Sequence, residues 1–364
     1  MTLPRHGDVT VVLTTPLSQM ATKQETPSTP FGPPFDDDDA DAILRSADQV
    51  DFYVYRVILS KSSPFFKSMF SLPQPNDRIS EKRPVVSVTE NSRTVDVLLA
   101  FIYPVENEAI SLNDMVDALS AARKYDMVAV SQRLYEQFAA SKTVQDSPVE
   151  AFCVAYSRKL GEAARIAAKA SLKHRMNLDS IGDKLQYTNG PALHQLWKFH
   201  RACSATAAKA VSEEDLTWIA ESDSAWWNFA RKTERCDCEK YPYNLGTSQD
   251  TWWNATTPWH NYILRAHDAL LDHPCSDAVA YSSVRRPDDD DDDKHSSKSC
   301  QTCQSSLFGM DEFIRLLGEE VERRVSSVRH SLAYFLDAPH SMTPTEGRSR
   351  ASVLNFCRLS TYVQ

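Results

Sequence analysis

The residues of this chain best suited to chemistry are four cysteines in two close pairs, Cys236-Asp237-Cys238 and Cys300-Gln301-Thr302-Cys303. A CxxC turn presents two thiolates to one tetrahedral zinc, and CxC does the same through a tighter turn. Cys236, Cys238, Cys300 and Cys303 therefore form a candidate structural zinc site. Two other readings stay open, buried reduced thiols and redox pairing. CxC is the less usual zinc spacing, and His273, Cys275 and His295 are competing ligands in the same region. Other groups offer less. His194 and His200 lie on a helical pattern and read as parts of a partly buried helix rather than as ligands. The aspartate runs Asp36 to Asp39 and Asp288 to Asp293 lack the spacing of a calcium loop, and their self-repulsion reads as a solvated spacer and an extended surface loop.

No catalytic constellation accompanies these groups. The chain has no phosphate-cradling glycine loop, no nucleophile elbow and no HExxH, and only nine glycines in 364 residues, so the expectation is not an enzyme. Repeated Cys/His fingers and kelch-type repeats are missing too. A net charge of -9 without a basic run argues against nucleic acid as a partner. The longest apolar runs, such as VDVLLAFIY, fall far short of the ~20 residues that span a bilayer, and no charged-then-apolar leader opens the chain. The expectation is a protein without a membrane partner, inside the cell in cytoplasm or nucleus, with its eight cysteines as reduced thiols or metal ligands rather than disulfides.

The elements that must position these residues follow from hydrophobic period. Val50, Phe52 and Val54 alternate as a strand, and Pro64 is suited to the first turn of the helix that follows. Pro84 to Val88 reads as a further strand. Val95, Leu98, Leu99 and Ile102 fall at i, i+3, i+4 and i+7, with Asn91 or Ser92 as cap and Pro104 as stop. Leu112, Met115, Val116 and Leu119 repeat the pattern after Ser111 or Asn113, and a further helix runs from Val128 to Ala140. Ser147-Pro148 opens another helical stretch, continued by GEAARIAAKASL, and Gly190-Pro191 precedes a stripe of Leu193, Leu196, Trp197 and His200. Six of the seven tryptophans lie between Trp218 and Trp259, which predicts a second small core. Without interleaved basic residues they are not a platform for bases. Helices are expected over Tyr262 to Leu271 and Asp311 to Val328, the latter with Phe313, Leu316, Leu317, Val321 and Val325 on one face.

The order DAILRS, a strand ending in Tyr55, ILSKSSPFFKSMF, a strand at Val85 to Val88, TVDVLLAFIYP and AARKYDM resembles a BTB (POZ) domain, in the form common in basidiomycete fungal proteins. Tyr55 departs from the pattern, since most members carry His there. The resemblance implies an interaction module that dimerises. It also draws attention to Ile79-Ser80-Glu81, because a similar triplet contacts the cullin scaffold in ubiquitin-ligase adaptors; with Phe70, these are the candidate partner-binding residues. Residues 9 to 15, VTVVLTT, are strand-like, and in some dimeric members an N-terminal strand pairs with the partner chain, although a short apolar patch in a tail explains them as well.

The expected fold class is α+β, a small sheet with a helical cluster followed by a mainly α-helical C-terminal domain. The expected divisions are a disordered leader over 1–38, the BTB domain over 39–140, a helical extension over 141–210, a Trp/Cys-rich helical domain over 211–335 and a tail over 336–364. The expected function is dimerisation and partner recruitment, with cullin adaptor and oligomeric or transcription-linked scaffold as the two alternatives.

Overall fold

The structure, a computed structural model, describes residues 28–72, 83–105, 109–176, 189–212, 216–220, 239, 241–244, 252–280 and 310–336. The fold is α+β, and the chain divides into two compact units, 1–106 and 107–364. The division falls inside the stretch that resembles a BTB domain.

The first unit is built on a four-stranded sheet in the order β1-β3-β2-β4, with β1 Thr29–Pro30, β2 Ala42–Arg45, β3 Val50–Val54 and β4 Val85–Ser87. β2 and β3 form an antiparallel hairpin, and the two edge strands pair parallel to it. The hairpin turns over Ser46–Gln49, where Gln49 takes φ 63° and the Ser46 hydroxyl accepts from the Val50 amide at 2.9 Å. Asp48 in the same turn accepts from the Ser92 amide and hydroxyl at 2.8 and 2.6 Å, joining the turn to helix α3, Ser92–Ala100. Asn91 caps that helix by accepting from the Thr94 amide at 2.8 Å, one of the two caps expected. Val95, Leu98 and Leu99 are buried as their spacing requires.

Residues 28–38, expected to belong to a disordered leader, are part of this sheet and core. Thr29 and Phe31 donate to the carbonyls of Gln49 and Asp51 at 3.0 and 2.9 Å. Phe31 stacks on Phe52 with centroids 4.4 Å apart, and Phe35, 1% exposed, meets Tyr103 edge-on at 5.3 Å. Gly32 stands between them at φ 95°, a conformation that costs glycine little. The proline content suggested disorder, but the burial of Phe35 and the stacking of the partly exposed Phe31 on Phe52 anchor the segment. Residues 9 to 15 lie outside the described residues.

In the second unit the helices are α4 Leu112–Lys124, α5 Val128–Ala140, α6 Lys142–Asp146, α7 Pro148–Ser157, α8 Gly161–Ser171, α9 Gly190–Ala208, α10 Thr217–Ala220, α11 Thr257–Asp272 and α12 Met310–Leu336. Ser111 caps α4, accepting from the Asp114 amide at 3.2 Å. The long stretch after Pro148 breaks at Lys159, whose φ of 56° reverses the chain so that α7 and α8 pack on each other. Ala163, Ala164, Ala167 and Ala168 are buried, small side chains that let the helices approach closely. Helix α9 packs against α7, α11 and α12. The last helix runs eight residues beyond the expected Val328, with Phe313, Leu317, Val321 and Val325 buried.

The expected second core is present among the described aromatics, with Phe313 at its centre. Its ring lies 6.1 Å from Trp218, 5.7 Å from Trp259 and 6.0 Å from Tyr262. The Trp218 indole donates to the Ala210 carbonyl at 2.8 Å, and the Tyr262 hydroxyl to the Val279 carbonyl at 2.7 Å. Like β1, a further element was not expected: β5 Tyr241–Asn244 and β6 Trp252–Ala255 form an antiparallel pair. Aromatic residues favour a pleated, half-buried surface, and Tyr243 meets Trp259 edge-on at 4.9 Å.

Candidate interaction surface

Helices α1 Arg56–Ser62 and α2 Pro64–Ser71 follow β3 directly. Ser63 separates them and caps α2, its hydroxyl accepting from the Phe66 amide at 3.1 Å, while Pro64 occupies the first turn. The sequence of α2 is apolar on two faces. Phe66 is buried and stacks with Phe70 at 6.3 Å. On the other side Phe65, Met69 and Leu72 fall at i, i+4 and i+7, and Phe65 and Leu72 remain 44% and 63% exposed. Val57 on α1 is 58% exposed. These outward side chains were missed as site residues, although their spacing within PFFKSMFSL is readable once Phe66 and Phe70 are assigned inward.

Phe70, a candidate partner-binding residue, is half-buried. Arg56 lies over its ring at 5.0 Å and donates to its carbonyl at 3.1 Å, which fixes the C-terminal end of α2 against the start of α1. The start of α1 is held in turn. Its amide at Arg56 donates to Asp41 at 2.7 Å, and the amide of Tyr55 donates to the Tyr103 hydroxyl at 2.9 Å. The Tyr55 hydroxyl donates to Asp39 at 2.5 Å and to Asp37 at 3.1 Å. The Asp39 bond, burial and the Asp37 bond all push the phenol above its ordinary pKa. Tyr55, the departure from the family pattern, thus ties the aspartate run to the helix pair. That run is a partner as well as a solvated spacer.

A second polar tie holds the N-terminal segment. Arg45 donates to Asp51 through Nε at 2.7 Å and a second nitrogen at 2.9 Å, and Ser28 donates to the same carboxylate at 2.8 Å. Burial opposes ionisation of Asp51, but the Arg45 and Ser28 hydrogen bonds outweigh it and hold the carboxyl below its ordinary value.

Ile79, Ser80 and Glu81 lie outside the described residues, as do Cys236, Cys238, Cys300, Cys303 and the second aspartate run. The cysteines that are described, Cys153, Cys203 and Cys275, are buried. Burial pushes Cys153 up to about 11 and Cys275 upward, away from the thiolate that metal binding or nucleophilic attack needs. No group of three or more metal-ligating side chains occurs among the described residues. His194 is exposed. His200 is buried, and its Nε2 contacts the His174 carbonyl at 3.1 Å. Burial lowers its pKa and keeps the ring neutral, the behaviour of a core histidine. No described helix is long and apolar enough to cross a membrane.

Residues 34–142, less than a third of the chain, match the family model of the BTB/POZ domain. That domain is generally a protein–protein interaction module that mediates partner binding and dimerisation and is not typically catalytic. No curated protein matches the chain.

Proposed function

We propose that this chain, a basidiomycete-type BTB protein acting inside the cell, dimerises through its N-terminal domain and recruits a cullin-based ubiquitin ligase, while the C-terminal helical unit selects the target. The observation that carries the reading is the BTB match over residues 34–142 together with the outward apolar side chains of α1 and α2. An apolar stripe fixed by Ser63, Arg56 and Tyr55 is suited to a protein partner, whose desolvated contacts supply most binding energy.

Pull-down of the full chain with a cullin scaffold tests recruitment. Binding by the wild type is expected to fall at least tenfold in Ile79→Ala and Glu81→Ala, and in Phe65→Asp if α2 takes part. Failure of the wild type to bind sinks the adaptor reading. A dimer in light scattering that binds no cullin supports the scaffold reading instead, in which the domain only oligomerises.

The cysteines Cys236, Cys238, Cys300 and Cys303 are proposed as ligands of one structural zinc. Metal analysis of the purified chain is expected to find about one zinc per chain, lost in Cys300→Ser. Zinc content unchanged by the substitution removes that assignment.

A further inference from the structure

A cleft of about 410 Å³ opens in the C-terminal unit, walled by one face of α9, by Arg175 and Met176 after α8, and by the C-terminal end of α11. Its size is that of small-molecule sites. Trp197, His200, Arg201 and Ser204 stand at i, i+3, i+4 and i+7 on α9, so the wall is a single helical stripe. A stripe in that position on a packed helix is ordinarily covered by a neighbouring helix, and here the described residues leave a cleft along it.

The lining is mixed in a specific way. Trp197, Met176 and Leu271 supply apolar surface, and Leu271 is 46% exposed at this place. The lining carries two guanidinium groups and one carboxylate. Arg175 pairs with Asp272 at 3.2 Å, whereas Arg201 makes no ion pair among the described residues. His200 adds no charge, because burial keeps its ring neutral. Ser204 is 7% exposed, and its hydroxyl has no hydrogen-bond partner among the described residues. A buried hydroxyl left in that state is costly, and because its oxygen is closed off from the cleft it takes no part in binding there.

We propose that this cleft binds a small monocarboxylate with a flat apolar body. Arg201 receives the carboxylate, since a guanidinium fork matches its two oxygens, and the body lies on the Trp197 indole beside Met176 and Leu271. One surplus positive charge balances a monoanion. A phosphate dianion needs more donors than the cleft presents.

Titration of the full-length protein with 2-naphthoate, followed by calorimetry and saturation-transfer NMR, tests the assignment. Saturable binding is expected with Kd on the order of 0.1–1 mM, as a ligand of this size permits. The neutral isostere 2-naphthamide is expected to bind at least about tenfold more weakly, and Arg201→Gln to lose about tenfold for naphthoate but little for the amide. Arg201 is exposed, so that variant keeps the packing of α9. Absence of saturable naphthoate binding, equal affinity for the amide, or displacement of naphthoate by millimolar inorganic phosphate each overturns the proposal. The comparison of naphthoate with naphthamide uses only the wild-type chain and so does not depend on any variant folding.

Discussion

The two units are held together by different means. In residues 1–106 the sheet is short, and polar ties fix it: Arg45 and Ser28 on Asp51, Asp48 on the start of α3, and Tyr55 between Asp37 and Asp39. In residues 107–364 α7 and α8 pack together with the alanines of α8 buried, and ring meets ring around Phe313. Hydrogen bonds and ion pairs are directional, so a tied segment depends on particular residues at particular spacings. Close packing tolerates many combinations of similar volume. That contrast goes with the reach of the family match, which takes in most of the described first unit but only α4 and α5 of the second before it ends at residue 142.

The largest expected effect tests the packed side of the contrast. Phe313→Ala leaves Trp218, Trp259 and Tyr262 facing a cavity and is expected to destabilise the C-terminal unit by about 3–5 kcal/mol. All seven tryptophans lie at residue 197 or beyond, so their fluorescence in a urea titration reports that unit alone. Hydrogen exchange at the β3 amides is expected to stay unchanged. A matching rise in exchange at Val50–Val54 would mean that the two units unfold as one, and the contrast would fail.

The tied side is tested by Asp51→Asn. The substitution leaves the Arg45 guanidinium without its charged acceptor, and about 1–2 kcal/mol of local stability is expected to go, less than for a fully buried pair because Arg45 is partly exposed. The amides of Thr29 and Phe31, which bond to Gln49 and Asp51, are expected to exchange faster while tryptophan fluorescence is unaltered. The wild type is expected to show the same loss with acid. The carboxyl of Asp51 is lowered from 3.8, so its contribution is complete above that value and disappears as pH falls through the lower folded pKa. Protection of Thr29 that is unchanged in the variant would show that the phenylalanine stack alone anchors the segment.

These elements also show what was readable in advance. Helix α5 ran between the residues its pattern indicated, Val128 and Ala140, because apolar period and turn residues coincide there. Asn91 and Ser111 were among the caps considered, since a side-chain oxygen just before an apolar stripe has few other uses. The first strand was not readable. Thr29–Pro30 lies in a proline-rich stretch, and what orders it is the stacking of Phe31 on Phe52, twenty-one residues away, together with a carboxylate in another strand. The β5–β6 pair was hidden for a related reason, because its aromatic residues serve equally well in a helical core. Of the candidate partner-binding residues, Phe70 is the one that is described, half-buried under Arg56. The outward Phe65, Met69 and Leu72 were not legible, because a helix apolar on both faces gives no sign of which face the core takes. The cleft along α9 was equally invisible, since a stripe in sequence does not say what packs on it.

The smallest expected effect concerns a single polar group inside the packed unit. His200 is buried against the His174 carbonyl, with Ser171, His273 and Asp272 also acting on its ring, and burial lowers its pKa below 6.5. A lowered histidine is bound neutral in the fold, while the unfolded chain takes up a proton below about 6.5, so stability falls as pH drops from there to the folded pKa and then levels. In the C-terminal unit this loss is expected to set in as pH falls below about 6.5, well above the acid loss set by Asp51 in the first unit. His200→Gln keeps a donor for the His174 carbonyl and cannot titrate. Urea midpoints by tryptophan fluorescence at pH 7 and pH 5 are therefore expected to lie closer together in the variant than in the wild type. Equal spacing of the midpoints in both proteins would place the acid sensitivity elsewhere and leave packing alone, without this one polar group, to account for the stability of the unit.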